Sequence, residues 1–359
     1  MEITYRPYVG CDDYSKQREL FRLSFPEAVG TEVEGDAHYH WKFSGMPASP
    51  PSYQYVGDDS GVMVGYYAAI PYKYWVDGVV HRCGMVCDVM THPGYRGRGI
   101  FTQIGRYATA KLGESEVAFT TGYPIRPEVI PGHLKVGWQV VEKMPTYVRP
   151  VSIEGMLPKA LKPVGRVGGA VLRVLQGWSR PRAGEYSTLV YSREEFLAKV
   201  ASSEAYEIFL ARWAERLGNA LVKDADFLAW RTGAPGARYF FVALHHKGEP
   251  VGLALARPTQ LRGVESLAVL DFMVLDAHLD GCRALHWAIY ELAREHRKDV
   301  VACMASKFWA KTYRFAGSCY LQTPSVFSLI VKKLDSGVAD ESLLLASRWH
   351  VFWIDSDDL

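Results

Sequence analysis

The sequence predicts an α/β fold (α+β, with a mixed sheet) laid out as two similar halves in tandem. Three observations predict it. Hairpin strands, a long strand, a helix, a further strand, a short helix and a last strand follow one another in the first half. The same order of patterns returns in the second half without obvious sequence identity. Asp58-Asp59-Ser60-Gly61 and Asp77-Gly78 stand between apolar runs, as hairpin turns do. A strand and a helix are joined directly by a turn that holds Gly97 and Gly99. The length of 359 residues fits about two domains.

In the first half, Ile3–Val9 reads as a strand, and Asp12 or Asp13 caps a helix running to about Phe25, before Pro26. A short helix is expected over His38–Phe43, then strands over Tyr53–Val56, Val62–Tyr74 and Val79–Thr91. A helix from Ile100 to Leu112, a strand over Val117–Thr121, a short helix over Pro131–Val136 ended by Gly137, and a strand over Gln139–Arg149 complete this half. In the second half a helix is expected over Ser192–Ala211 and strands over Arg238–Leu244, Pro250–Arg257 and Glu265–Leu275. A helix over Gly281–Arg297, a strand over Val300–Ala305, a helix over Phe308–Phe315 and a strand over Pro324–Lys332 follow.

The expected domains are residues 1–150 and 186–359, joined by a Pro/Gly-rich basic linker over 151–185. The linker carries Lys159, Lys162, Arg166, Arg173, Arg180 and Arg182, with apolar residues recurring over Val164–Leu175. An amphipathic helix packed on a neighbouring domain is the expectation. Weak peripheral contact with anionic lipid is the alternative.

Composition narrows the partners. The chain is 48% hydrophobic and 22% charged, as globular proteins are. A net charge of +2 gives no support to nucleic-acid binding, which needs a concentrated basic surface. No apolar run is long enough to span a bilayer, and no basic stretch followed by an apolar run opens the chain. A cytoplasmic location is therefore expected. Cys11, Cys83, Cys87, Cys282, Cys303 and Cys319 are scattered, several in apolar runs. Cys83 and Cys87 lack a second Cys/His pair at zinc spacing, so reduced, mostly buried thiols are expected and no metal site.

The informative segment is Cys87-Asp88-Val89-Met90-Thr91-His92-Pro93-Gly94-Tyr95-Arg96-Gly97-Arg98-Gly99-Ile100-Phe101. Gly97 and Gly99 permit positive φ and close backbone approach to a ligand. The orphan N–H groups of the following helix, aided by its dipole, suit a diphosphate. Arg96 and Arg98 add charge. The segment is neither a P-loop nor a dinucleotide-binding fingerprint.

The string Arg96-Gly97-Arg98-Gly99-Ile100-Phe101 resembles the acyl-CoA signature of the GNAT N-acetyltransferase superfamily, Arg/Gln-x-x-Gly-x-Gly/Ala. Phe101 departs from the usual small last residue; a larger ring narrows the turn or packs under the helix. The resemblance implies two tandem GNAT-like folds and acetyl-CoA or another acyl-CoA as co-substrate. It implies pantetheine contacts from Val89, Met90 and Thr91, and diphosphate contacts from the amides of Arg96 to Phe101. Gly137-Trp138 match the Gly-Phe end of a later family segment, and His133 stands where that segment's Tyr often serves as general acid. His133 is thus a candidate proton shuttle near pH 7, or a surface or helix-capping histidine without catalytic part. The family's frequent Glu on the central strand is missing, since Met85 takes its place. Asp88 is either a hydrogen-bonded structural carboxylate or a base working through water. Tyr123 is expected in the pocket wall.

In the second half the equivalent turn, Asp276-Ala277-His278-Leu279-Asp280-Gly281-Cys282-Arg283, keeps one glycine and gains aspartates that repel a diphosphate. A degenerate copy that completes the acceptor pocket or covers the first domain is expected. Asp226–Arg231 and Trp349–Leu359 resemble tandem GNAT-like proteins of bacterial surface-polysaccharide pathways. Asp355, Asp357 and Asp358 are expected as a solvated acidic tail, with contact to an ammonium acceptor as the alternative. The expected function is acyl transfer from acyl-CoA to a primary amine of a small molecule, an amino sugar by resemblance. The alternatives are transfer to an aminoglycoside or peptide amine, and a non-catalytic acyl-CoA-binding or scaffold protein. Peptidyl transfer from aminoacyl-tRNA is disfavoured by the small net charge.

Overall fold

A computed structural model of the chain describes residues 3–152, 176–177, 179–181, 184–335 and 337–357. The first half runs β1 (Thr4–Pro7), α1 (Gly10–Ser24), α2 (Asp36–Ser44), β2 (Tyr53–Asp59), β3 (Val62–Val76), β4 (Val79–Thr91), α3 (Ile100–Glu114), β5 (Phe119–Gly122), α4 (Ile130–Leu134) and β6 (Gln139–Pro150). The second half supplies β7 (Tyr186–Ser192), β8 (Asn219–Leu221), β9 (Phe240–His246), β10 (Glu249–Leu261), β11 (Val264–Val274), β12 (Val300–Met304), β13 (Leu321–Lys333) and β14 (Trp349–His350). Its main helices cover Glu204–Ala214, Ala225–Arg231 and Cys282–Glu295.

Most strand expectations hold, because the hairpin turns fix register. The helix expected over Ser192–Ala211 is broken: β7 precedes it, and a second helix restarts at Glu204, where Ser203 accepts from the Tyr206 amide. Asp12 and Asp13 do not hold the cap position of α1. Val9 does, and the buried Asp13 carboxylate accepts from its amide at 2.8 Å while pairing with Arg6. Of the basic linker residues, only Arg180 lies among the described residues; Lys159, Lys162, Arg166, Arg173, Arg182 and the segment 164–175 lie outside them.

The strands among the described residues join one sheet, twelve of them in the order β1-β2-β3-β4-β5-β13-β6-β12-β11-β10-β9-β7, with β8 pairing β3 and β14 off this path. The order is a palindrome of the two halves. β4 and β5 are parallel neighbours in one half, and β11 and β12 in the other. The last strands are exchanged: β13 inserts between β5 and β6, and β6 pairs with β12. The halves therefore share a continuous sheet, and neither closes its own.

Two further ties bind the halves. Trp41 of α2 and Trp230 stack with centroids 5.4 Å apart, and each indole N–H donates to the other's carbonyl at 2.7 and 2.8 Å. The C-terminal segment packs inward through Trp349, Phe352, Trp353 and Ile354, all buried. The buried Arg231 donates to the carbonyls of Ile354 and Ser356. Asp355 is fully buried, so the solvated-tail reading of this end is corrected there; Asp358 lies outside the described residues.

One irregularity in β4 opens the site. Tyr66 faces Met90 and Ala68 faces Cys87, so Asp88 and Val89 together oppose Tyr67. Asp88 takes φ of 47°, in the left-handed region. Such a bulge takes an amide out of the ladder and bends the strand. β4 is paired with β5 only as far as Val86 with Gly122. Beyond that point β4 is paired with β3 alone, and its other edge lines a cleft.

Candidate active site

The turn after β4 forms the floor of a groove of about 510 Å³. The His92 imidazole accepts from the Gly94 amide at 3.1 Å and shapes its entry. Gly97 and Gly99 take φ of 78° and 77°, so the glycines are there for conformation. A Cβ on Gly97 would meet nothing within 4 Å. α3 begins at Ile100 with Gly99 as its cap residue, and no side chain caps it. The amides of Gly97 and Gly99 donate to no backbone carbonyl among the described residues, and those of the first helical turn are orphaned by helix geometry. α3 sits close to the sheet because Gly65 on β3 has no side chain. A Cβ there would come within 2.9 Å of Ile100.

Val89, Met90, Thr91, Arg96, Gly97, Gly99, Ile100 and Phe101 line this groove. Arg98 does not; its guanidinium stacks on the Tyr95 ring at 4.9 Å. The Phe101 ring leaves the turn open and packs beneath α4, where a Cβ on Gly132 would come within 2.6 Å of it. Phe101 and Gly132 are a matched pair, large against none. Phe101 thus packs against α4 and not under the helix it belongs to.

A second cavity, of about 520 Å³, adjoins the groove. Phe25, Val89, Phe101, Arg126 and Val129 line both. Its walls come from α1, α2, β4 and the segment after β5, and from the second half through Ala234, Pro235, Arg257, Thr259, Ile330 and Asp357. At its centre lies Lys42, whose ammonium donates to Asp88 at 2.9 Å and to Asp357 at 2.7 Å. Burial opposes the ammonium, but Asp357 and Asp88 outweigh it and raise the Lys42 pKa well above its ordinary value. Two carboxylates against one ammonium leave an excess negative charge. Asp88 is thus ion-paired inside the cavity and not on an isolated strand face.

His133 is buried, with Phe101 and Trp138 edge-on at 5.0 and 5.1 Å. Desolvation lowers its pKa to about 4. It is neither a surface nor a capping histidine, and it is held neutral at pH 7. The expected titration near pH 7 is therefore corrected by its apolar setting. Tyr123 lines the cavity wall and meets Tyr74 hydroxyl to hydroxyl at 3.2 Å; Tyr74 donates to the buried Asp355 at 2.7 Å. Burial pushes the Asp355 carboxyl up to about 6.

Sequence reading missed Lys42, Trp41 and Arg257. Lys42 sits on a short helix whose pattern signals nothing beyond amphipathicity, and its partner Asp357 is 315 residues away.

In the second half, Gly281 is packed against Leu244 and Tyr186; a Cβ there would come within 2.7 and 2.8 Å of them. Asp276 and Ala277 line a separate cleft with Arg212, Trp213 and Arg216. Among the described residues no three His, Cys, Asp or Glu side chains group as metal ligands, and no helix is long and apolar enough to cross a membrane. Cys83, Cys87, Cys282 and Cys303 are buried free thiols, Cys11 is exposed and Cys319 intermediate.

Comparison with known proteins agrees with this geometry. Residues 6–141 match the family model of the acetyltransferase (GNAT) domain. Among curated protein sequences nothing matches. A GCN5-related N-acetyltransferase from Anabaena variabilis superposes with a TM-score of 0.63 at 12% identity, over 93% of this chain and 73% of its own. A tandem GNAT protein of the clavulanic acid biosynthesis pathway gives 0.58 at 14% identity, over 93% and 99%. Saccharomyces cerevisiae N-myristoyltransferase with bound myristoyl-CoA gives 0.57 at 11%, over 92% and 80%. Residues 6–141 are thus similar to a GNAT acetyltransferase domain, and the described chain has the fold of tandem GNAT proteins.

Proposed function

We propose that the protein transfers an acyl group from acyl-CoA, most simply acetyl-CoA, to a primary amine of a small molecule held in the cavity between the halves. One observation carries this reading: the groove over the Gly97–Gly99 turn and the cavity holding Asp88 meet at Val89 and Phe101. A diphosphate on the turn's amides directs a thioester along 89–91 toward Asp88. The amine nitrogen attacks the thioester carbonyl carbon, the C–S bond breaks, and the proton that the nitrogen sheds on forming the amide passes to the sulfur, so that CoA leaves as the thiol. A β4 amide freed by the bulge polarises the thioester oxygen. Asp88 accepts the proton released by the ammonium, with Lys42 holding the carboxylate in place. His133, kept neutral, is part of the cavity wall rather than a proton shuttle at pH 7. Holding both reactants in contact supplies much of the rate.

The excess negative charge around Lys42 supports an amine acceptor. An amino sugar rests on resemblance, and Trp41 and Phe25 offer faces on which a ring could stack. Acyl-CoA is an intracellular metabolite, which supports a cytoplasmic setting. The test is calorimetric titration with CoA, followed by thiol release from acetyl-CoA over a panel of amino sugars, aminoglycosides, amino acids and peptides. CoA binding with amine-dependent thiol release is expected. Absence of CoA binding overturns the reading, and binding without release on any amine favours an acyl-CoA carrier.

A further inference from the structure

The cavity has a second charged pole. Arg257, on β10 of the second half, reaches the cavity of the first. Its Nε is buried and has no hydrogen-bond partner, and its guanidinium lies 5.7 Å from the Tyr239 ring. The other cations lining the cavity are occupied: Lys42 by Asp88 and Asp357, Arg126 by Glu27. No carboxylate among the described residues lies within ion-pairing distance of Arg257. Glu32, which also lines the cavity, is exposed and lies against Gly236. A half-buried guanidinium without a partner is unfavourable until an anion completes it, and its planar fork suits a carboxylate. Thr259, two residues along the strand and on the same face, also lines the cavity and adds a hydroxyl donor.

We propose that Arg257 and Thr259 form an anion subsite, so that the acceptor is an amino-carboxylate: an amine, a carboxylate and an apolar body. The amine goes to the Asp88–Lys42–Asp357 pole and the carboxylate to Arg257. The body lies against Phe21, Phe25 and Trp41. This rests on the acyl-transfer reading and narrows its substrate class.

The test measures binding by quenching of tryptophan fluorescence, with Trp41 in the cavity, on the full chain saturated with CoA. Two matched pairs serve as probes: L-phenylalanine with L-phenylalaninamide, and 6-aminohexanoate with 6-aminohexanamide. In at least one pair the carboxylate should bind at least about tenfold tighter than its amide. Arg257→Gln should erase that preference, and Arg257→Lys should restore part of it, with CoA affinity unchanged in both. Equal binding within both pairs, no binding of any probe, or a preference that survives Arg257→Gln overturns the subsite. Should the variants not fold, the wild-type comparison decides alone. Loss of CoA binding by the wild-type chain would instead strike the acyl-transfer reading.

Discussion

Replacing Gly99 separates backbone conformation from charge at the turn. Gly99 sits at φ of 77° and ψ of 6°, where a non-glycine residue costs about 1–2 kcal/mol. A Cβ there would meet Gln103 Nε2 at 3.4 Å and Thr102 Oγ1 at 3.9 Å, ordinary contacts. Gly99→Ala therefore loses stability on that scale and little else. Gly99→Asp adds a carboxylate beside the diphosphate. At about 5 Å and an effective dielectric near 20, each phosphate charge is repelled by roughly 3 kcal/mol. Two such charges, halved by screening in an open groove, leave about 3 kcal/mol, or at least about a hundredfold in affinity. Calorimetric titration with CoA, beside thermal unfolding of both variants, makes the comparison. The expected result is a lowered melting temperature for both variants and lost affinity only for Gly99→Asp. Wild-type affinity in Gly99→Asp, or equal losses in both variants, would refute diphosphate binding on these amides.

Four other outcomes follow from the same geometry. Gly132→Ala should cost about 1–3 kcal/mol, because its Cβ meets the Phe101 ring, and Phe101→Leu in the same chain should recover part of the loss; additive effects in denaturant titration would contradict the pairing. Asp88→Asn should lower turnover at least tenfold with CoA affinity intact, whereas His133→Ala should lower it less; the reverse order in steady-state kinetics would exchange their roles. His133 and His286 are neutral in the fold, with pKa values of about 4 and about 3, and the unfolded chain binds their protons first. Their stabilisation is complete above the unfolded value of about 6.5 and is lost as pH falls, roughly 2 kcal/mol each by pH 4.5. Urea titrations that give flat stability from pH 7 to 4.5 would contradict this. Lys42→Met should destabilise the chain by about 3 kcal/mol, because it leaves Asp88 and Asp357 facing each other without their cation; an unchanged unfolding midpoint would show that the ion cluster is incidental.

What the sequence made legible was local. The turn from Arg96 to Phe101 is contiguous, and its glycines, flanking strand and following helix are fixed by neighbours in the chain. β2 to β5 were read because alternation and Asp-Gly turns specify register nearby. β7 was missed: it is half exposed and followed directly by the Ser192 capping box, so its pattern merged with the helix. The exchange of β6 and β13 depends on pairing between residues such as Tyr147 and Gln322, which no local periodicity encodes. The acidic end was misread for a similar reason. Asp355 looks solvent-seeking, but Trp349, Phe352 and Trp353 draw the segment inward, and Tyr74 and the Phe352 amide satisfy its carboxylate. Asp88 was found as the lone carboxylate of its strand, while the lysine that gives it meaning lay on another element.

The most direct measurement is the crystal structure of the chain with CoA. The coenzyme's diphosphate should lie within about 3 Å of the amides of Gly97 to Phe101, with its sulfur beside Val89 and facing Asp88. A bare turn in such a crystal, or coenzyme seated instead in the cleft beside Asp276, would contradict acyl transfer at this site.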